Sequence, residues 1–357
     1  MTKKILFLVL LFVITAIIPS YAQIYYKKNQ PQNRSQYNTQ YGSRYYNQYN
    51  NQYNNQYNNQ YNNQYNNQYN NQYNYNRQYN NQYQQNDSNI EMQMNYQDQM
   101  MINQMAATHP VDNRYDQFLS IISNKFNNVG RYVFTNYDSK DSRYVVMPGV
   151  FGYNAVSFHK SIVIDSLLME VDKRLAMGMA YYGKIDTPYT RQLGQRTIQL
   201  WQQINNGTLR INTQNQYNIF DLPEIPGRLN PNQQKLAELY FEHIVAAVLA
   251  HEGSHIFLEH TKKKMLTQQK LWQQGQGNMN QIQQYMNVNF TKEKEYEADL
   301  YGLKLLKRAG YSREGMVAWF RFADILESIS GTLYQANRDH PTGAERIEQV
   351  NRTWNSL

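Results

Sequence analysis

A long tract of Gln, Asn and Tyr decides where in this chain a hydrophobic core can form. From Gln48 the unit Gln-Tyr-Asn-Asn occurs six times in succession, and residues 23–86 contain almost no aliphatic side chains. A four-residue period matches neither the 3.6-residue period of a helix nor the two-residue period of a strand. Such a composition buries too little apolar surface to offset the entropy lost on ordering. We therefore expect the tract to be disordered and the folded part of the chain to follow it.

Two roles stay open for this tract. It can be a plain spacer, or its regularly spaced Tyr residues can stack and self-associate in their Asn/Gln background. The second role belongs to a non-catalytic surface or adhesion protein, in which the repeats are the function and the C-terminal part is a scaffold.

The first 22 residues have the pattern of a cleavable secretory signal peptide. Lys3 and Lys4 precede an apolar run over residues 5–18, and Ser20-Tyr21-Ala22 then forms a small-x-Ala cleavage pattern. The apolar run is shorter than the roughly 20 residues of a membrane-spanning helix. We expect cleavage after Ala22 and export to the periplasm or the medium, with no membrane span in the mature chain.

The net charge of +8 comes almost entirely from the N-terminal part of the chain. Residues 1–86 contain seven basic and no acidic side chains, which leaves a net charge of +1 for residues 87–357. A nearly neutral folded part gives no electrostatic reason to expect a nucleic-acid partner. The chain also lacks Cys, so disulfides, cysteine nucleophiles and thiolate metal sites are excluded. Any metal must be held by His and carboxylate side chains.

The pattern of a folded domain begins at Asp112. Residues 23–111 are assigned to the low-complexity region, with one loose helix allowed over residues 87–110. Asn230 followed by Pro231 predicts the start of a long helix that runs to about Lys264. Apolar periodicity predicts further helices over residues 115–126, 166–179, 193–204 and 293–306, and strands over residues 143–147 and 156–164. The expected fold of residues 112–357 is α+β and mainly helical, with a small antiparallel β-sheet.

The motif His251-Glu252-Gly253-Ser254-His255 lies inside the predicted long helix. Two His residues four positions apart lie on one helix face, so their imidazoles can bind the same tetrahedral Zn²⁺. Glu252 lies beside them and can take the proton of the attacking water. The apolar residues 244–250 would bury this helix, and a buried polar cluster without a function is costly. His251 and His255 are therefore predicted metal ligands, with Glu252 as the catalytic base.

A catalytic zinc usually has three protein ligands, and the acidic residues 293–299 are the candidate source of the third. Glu295 and Asp299 are one helical turn apart on the same face, whereas Glu297 is rotated toward solvent or the far side. The alternative is a solvated helix face, which is the ordinary role of such a charge run. Spacing alone leaves this choice open.

Three motifs in this order resemble the zinc metallopeptidases that include the CAAX prenyl proteases, the HtpX heat-shock proteases and the soluble periplasmic BepA-type proteases. The resemblance covers about residues 115–350 and implies a zincin-like fold and a peptidase with a Zn²⁺ cofactor and a polypeptide substrate. The motifs are His251-Glu-x-x-His255, Glu295-Tyr-Glu-Ala-Asp299 and Asp339-His340-Pro341-Thr342-Gly-Ala-Glu-Arg346-Ile347.

The resemblance implies a role for each matching residue. Glu295 would be the third zinc ligand, and Asp299 would support a ligand His without binding the metal itself. His340 would lie over the metal and bind either the metal or the substrate. Arg346 would contact a site carboxylate or the substrate backbone.

The same resemblance extends to a segment upstream of the long helix. Asn154, Ala155 and Val156 correspond to an edge strand beside which peptide substrates of the family bind as an added strand. These three residues are therefore expected to bind substrate.

The remaining His residues have weaker claims to a function. His243 lies two turns before His251 and can line the same groove, although a core or capping role is commoner. His109, His159 and His260 have no partner at ligand spacing and are interpreted as structural. Taken together, the patterns predict an exported zinc-dependent endopeptidase that acts on exported or envelope proteins.

Overall fold

The computed structural model describes residues 88–135, 137, 142–209, 220–273, 279–330 and 341–357, without the side chains of residues 265, 268–273 and 279–291. The expected signal peptide and the repeat tract lie outside these residues. The chain divides into two compact units, Met1–Asn89 and Ile90–Leu357. Only residues 88 and 89 of the first unit are described, so the account below concerns the second unit.

The described residues form nine α-helices and three β-strands. The helices are α1 (residues 88–108), α2 (Asp116–Val129), α3 (Ser166–Tyr182), α4 (Pro188–Asn205), α5 (Pro231–Phe257), α6 (His260–Gln273), α7 (Met279–Arg308), α8 (Glu314–Ser330) and α9 (Gly343–Trp354). The strands are β1 (Arg143–Met147), β2 (Ala155–Ser157) and β3 (Ser161–Asp165). The mainly helical α+β class expected from the sequence is thereby confirmed.

The sheet is mixed, whereas the sequence predicted an antiparallel one. Its strand order is β1-β3-β2. β2 and β3 form the antiparallel part, but β1 runs parallel to β3, with Arg143 opposite Ser161 and Met147 opposite Asp165. Residues 148–154 therefore cross the end of β3 instead of turning back as a tight hairpin.

The side chain of Asp165 explains why this crossing is stable. Its carboxylate accepts hydrogen bonds from the backbone N–H groups of Gly149, Phe151 and Gly152, and it also caps α3 by accepting the N–H of Leu167. One buried carboxylate thus pairs with backbone N–H groups of the loop and of the first turn of α3 that would otherwise have no acceptor. Burial raises the pKa of Asp165 to about 6, against the effect of the four backbone donors.

Helix α5 is the central element of the fold. Asn230 and Gln233 form a reciprocal capping box at its start, and Pro231 occupies its first turn, as the sequence predicted. The apolar residues 244–250 are all at most 1% exposed. They pack among α3, α7, α8 and the strands β2 and β3. The residues that follow them on α5 are therefore held on a rigid, buried support.

Helix α1 belongs to the folded unit, although the sequence pattern assigns its residues to the low-complexity region. Met94 is 3% exposed and Asp98 6% exposed. The carboxylate of Asp98 accepts hydrogen bonds from the backbone N–H of Lys160 and the hydroxyl of Ser161. The folded part thus begins about twenty residues before the predicted boundary at Asp112, because scattered Met residues in a polar sequence gave too weak an apolar pattern.

Among the described residues, no helix combines the length and the apolar composition that crossing a bilayer requires.

Candidate metal centre

Helix α5 presents His251 and His255 on one face, one turn apart. Their Nε2 atoms are 3.2 Å apart. His251 is 3% exposed, and Glu252 between them is 8% exposed, with Oε1 lying 4.0 Å from Nε2 of His251. The helix thus brings two imidazoles and one carboxylate together in a nearly buried site.

Helix α7 supplies the third candidate ligand. The two carboxylate oxygens of Glu295 lie 3.3 Å from Nε2 of His251 and 3.4 Å from Nε2 of His255. The two helices cross closely because α7 has small residues at the contact. Ala298 is fully buried, and a Cβ atom at Gly302 would lie 3.3 Å from the backbone of Ala250 and His251.

The ligand atoms of the three residues are close enough to bind one zinc ion. Atoms bound to one tetrahedral zinc at the usual bond lengths lie about 3.3 Å apart. The two Nε2 atoms are 3.2 Å apart, and each lies 3.3 or 3.4 Å from a different oxygen of the Glu295 carboxylate. Two imidazoles and one carboxylate are also a ligand set that catalytic zinc sites use. The residues His251, His255 and Glu295 therefore fit a bound Zn²⁺ in both chemistry and distance.

His251 is held from behind by Asp299 and Arg346. Oδ1 of Asp299 lies 2.9 Å from Nδ1 of His251, and the guanidinium of Arg346 donates to both oxygens of Asp299 at 2.6 and 2.9 Å. Asp299 is fully buried, and its pKa is lowered because Arg346 and His251 together outweigh the effect of burial. Burial lowers the pKa of His251, but the nearby carboxylates raise it to about 9 in the metal-free chain.

Helix α8 forms an aromatic wall beside this ion pair. The ring of Trp319 lies 5.4 Å from that of His251, and the guanidinium carbon of Arg346 lies 3.9 Å above the ring of Phe320. Neither aromatic residue was singled out in the sequence. Stacking on Phe320 fixes the orientation of Arg346 and hence of the Asp299 carboxylate.

His255 also contacts His260, a residue whose sequence context indicates a structural role. Nδ1 of His260 lies 2.9 Å from Nδ1 of His255. Nε2 of the same His260 lies 3.2 Å from the carboxylate of Glu297, which also pairs with Lys294 at 2.6 Å. His260 is only 4% exposed. Glu297 was expected to face solvent or the far side of α7, and the structure instead places it against His260.

The position of His260 depends on a break between α5 and α6. Helix α5 ends at Phe257, not near Lys264 as the sequence predicted, and Glu259 has a φ of 57°. A continuous helix would turn His260 about 140° away from His255 around the axis, at 3.6 residues per turn. The left-handed residue is costly for a side chain other than Gly. The segment 258–259 contains neither Gly nor Pro, so no sequence signal marked the break.

The expected substrate-binding residues lie at the edge of the sheet. Ala155 and Val156 are in β2, at one end of the strand order, and Asn154 precedes them and is exposed. Helix α5 packs against this strand. The structure thus places an edge strand next to the helix that carries the metal ligands, while peptide binding by these residues stays a prediction.

All but one of the other residues singled out in the sequence lie in the described part of the chain. Arg346 lies at the site, as described above, and His340 lies outside the described residues. His243 contacts the ring of Tyr311 in an edge-to-face arrangement. The remaining two are separate from the candidate metal ligands: His159 is paired with Glu91, and His109 with the hydroxyl of Thr108.

Comparison with known proteins identifies the part of the chain that carries this site. Residues 233–353 match peptidase family M48. This segment is thus similar to the peptidases of family M48. It includes the five residues of the metal centre and its immediate support, which are His251, His255, Glu295, Asp299 and Arg346. The resemblance inferred from the sequence motifs is therefore confirmed.

The chain is also similar to the metalloprotease LoiP of Escherichia coli (strain K12). The two are 24% identical over 249 residues, which cover 61% of this chain and 90% of that protein. The comparison with solved structures gives no significant match. The M48 segment and this relative support a protease function and hence a polypeptide substrate.

Proposed function

We propose that the chain is a zinc-dependent endopeptidase in which His251, His255 and Glu295 hold the metal. The observation that carries the proposal is the cluster of two imidazoles and one carboxylate, whose ligand atoms lie within 4.8 Å of one another, next to the carboxylate of Glu252. Glu252 is close to the ligand set without being part of it, as a general base must be. Zinc also agrees with the absence of Cys from the chain, because His and carboxylate ligands suffice for a catalytic zinc site.

In the proposed mechanism the side chains divide the work. When bound, Zn²⁺ supplies a Lewis acid that polarises the peptide carbonyl and makes water more acidic. Glu252 removes a proton from the attacking water and later donates it to the leaving amine. Asp299 and Arg346 keep His251 in the orientation that metal binding requires. An extended peptide would bind along β2 through Asn154, Ala155 and Val156.

We further propose that the substrates are exported or envelope proteins. This part rests on residues 1–22, whose pattern is that of a cleavable signal, and these residues lie outside the structural description. Mass spectrometry of the protein purified from the cell envelope or medium should find Gln23 as the first residue. A chain that keeps its first 22 residues in the cytoplasm would refute the proposed location and leave the peptidase assignment standing.

The test of the peptidase proposal is the pair Glu252→Gln and Glu238→Gln in the full chain. Both carboxylates lie on α5, but Glu238 is exposed and far from the metal ligands. Glu252→Gln should retain one zinc per chain and lose about 10²–10⁴-fold in the rate of casein or peptide cleavage, as expected for loss of a general base. Glu238→Gln should keep both zinc and activity.

Two outcomes would contradict the proposal. Wild-type cleavage rates in Glu252→Gln would show that this carboxylate is not the base. A wild-type chain that binds zinc but cleaves no peptide would favour the alternative of a surface protein that uses the repeat tract.

A further inference from the structure

The two candidate His ligands have different supports. His251 directly contacts the carboxylate of Asp299, and such a contact is common for metal-binding His residues. His255 instead contacts the imidazole of His260, and His260 in turn contacts the carboxylate of Glu297. Neither the sequence motifs nor the family match gives a role to His260 or Glu297.

The hydrogen bonds determine which nitrogen carries each proton. A carboxylate can only accept, so Nε2 of His260 donates to Glu297. Nδ1 of a neutral His260 must then accept, and the donor is Nδ1 of His255. This assignment leaves Nε2 of His255 with its lone pair directed toward Nε2 of His251 and toward Glu295. That is the form of His255 a metal needs.

His260 has the environment of a neutral imidazole. It is 4% exposed, so a charge on its ring would be poorly solvated. Lys294 also pairs with Glu297 and shares its negative charge. A charged His260 would donate from both nitrogens and could not accept the proton of His255.

We propose that His260 and Glu297 form a relay that fixes the tautomer and ring orientation of His255 for zinc binding. The inference rests on the proposed function and deepens it by naming two positioning residues. The left-handed backbone at Glu259 is consistent with such a role, because strained residues persist where the surrounding structure requires them. The break at Glu259 is what turns the His260 ring back toward His255.

The experiment measures the zinc dissociation constant of the full chain by chelator competition, together with the melting temperature of the zinc-free protein. His260→Leu removes the acceptor and should weaken zinc binding about 10–100-fold, the usual effect of losing such a support. The zinc-free melting temperature should not fall, because an apolar side chain replaces a buried polar one. Glu297→Ala lies at a partly exposed position and should weaken zinc binding less.

Two further variants separate positioning from packing. His260→Asn keeps an oxygen acceptor near the place of Nδ1 and should restore most of the affinity that His260→Leu loses. His243→Leu removes a half-buried His from the same helix as the ligands, away from the site, and should bind zinc like the wild type.

Each outcome decides the proposal. Unchanged zinc affinity in His260→Leu would overturn the relay and leave the proposed function intact. Equal loss in the Leu and Asn variants, in parallel with lower zinc-free melting temperatures, would also overturn it, because this is the pattern of lost packing. Failure of the wild-type chain to bind zinc would overturn the proposed function and the relay together.

Discussion

Two fully buried carboxylates in this protein have pKa values that are shifted in opposite directions because their partners differ. Asp299 lies between Arg346 and His251, and its pKa is lowered. Asp172 on α3 has only the hydroxyl of Tyr153, which donates to Oδ1 at 2.7 Å, and its Oδ2 has no partner among the described residues. Burial raises the pKa of Asp172 to about 8. Burial therefore favours the protonated form of Asp172, whereas the contacts with Arg346 and His251 favour the charged form of Asp299.

This difference predicts how stability depends on pH. Because the pKa of Asp172 is higher in the folded than in the unfolded chain, its contribution is fully present below pH 4. It is lost as the pH rises toward 8, at up to about 1.4 kcal/mol per pH unit. Between pH 5 and pH 8, the free energy of unfolding measured in urea should decrease less for Asp172→Asn than for the wild type. Asp186→Asn, at an exposed position, should follow the wild type. Parallel profiles for Asp172→Asn and wild type would refute the assignment.

At the scale of residues, the catalytic motif could be predicted from the sequence, but the support of His255 could not. His251, Glu252 and His255 are related by helical spacing, which is local information. His260 reaches His255 only because the helix breaks at a segment with no breaking residue. Glu297 reaches His260 from a different helix. Neither contact has a spacing that sequence reasoning can use.

At the scale of elements, the site depends on the crossing of α5 and α7. Glu295, Asp299 and Gly302 lie on one face of α7 at intervals of four and three residues. Gly302 lies against the α5 backbone at Ala250 and His251. The same contact therefore sets the distance between the helices and the position of the third ligand.

Substitutions at Gly302 should therefore reduce zinc affinity in proportion to size. Gly302→Ala adds one carbon that neighbouring backbone atoms must accommodate by a few tenths of an ångström. Gly302→Val should force the helices apart, cost about 1–3 kcal/mol of stability, and weaken zinc binding more than the Ala variant. Chelator competition and urea unfolding measure the two effects. Equal zinc affinity in both variants would show that the crossing does not position Glu295.

The elements themselves were predicted where the signals were local. Asn230 and Pro231 marked the start of α5, but the single strand predicted over residues 156–164 is in fact two antiparallel strands, β2 and β3. The parallel β1 was not predicted, because its pairing depends on Asp165 holding a loop thirteen to sixteen residues earlier. A contact of that kind has no periodic pattern in the sequence.

At the scale of the whole molecule, the question is where the folded unit begins. The composition of residues 23–86 predicts that they add nothing to the core. The structure adds α1 to the folded unit, through the buried Met94, the bonds of Asp98 to the β2–β3 turn, and the pairing of Glu91 with His159. A boundary at residue 112 and a boundary near residue 88 therefore predict different behaviour for shortened chains.

Two deletions distinguish these boundaries. A chain that lacks residues 1–87 should melt at the same temperature as one that lacks only residues 1–22, because the composition of residues 23–86 predicts no contribution to the core. A chain that lacks residues 1–111 loses the burial of Met94, worth about 1.5–3 kcal/mol, and the hydrogen bonds of the buried Asp98. At roughly 2–4 °C per kcal/mol for a domain of this size, its melting temperature should fall by about 5–10 °C. Calorimetry of the three chains measures the difference. Equal melting temperatures for the two deletions would mean that α1 does not stabilise the fold, and a loss already present on removing residues 1–87 would mean that the Tyr-rich tract does.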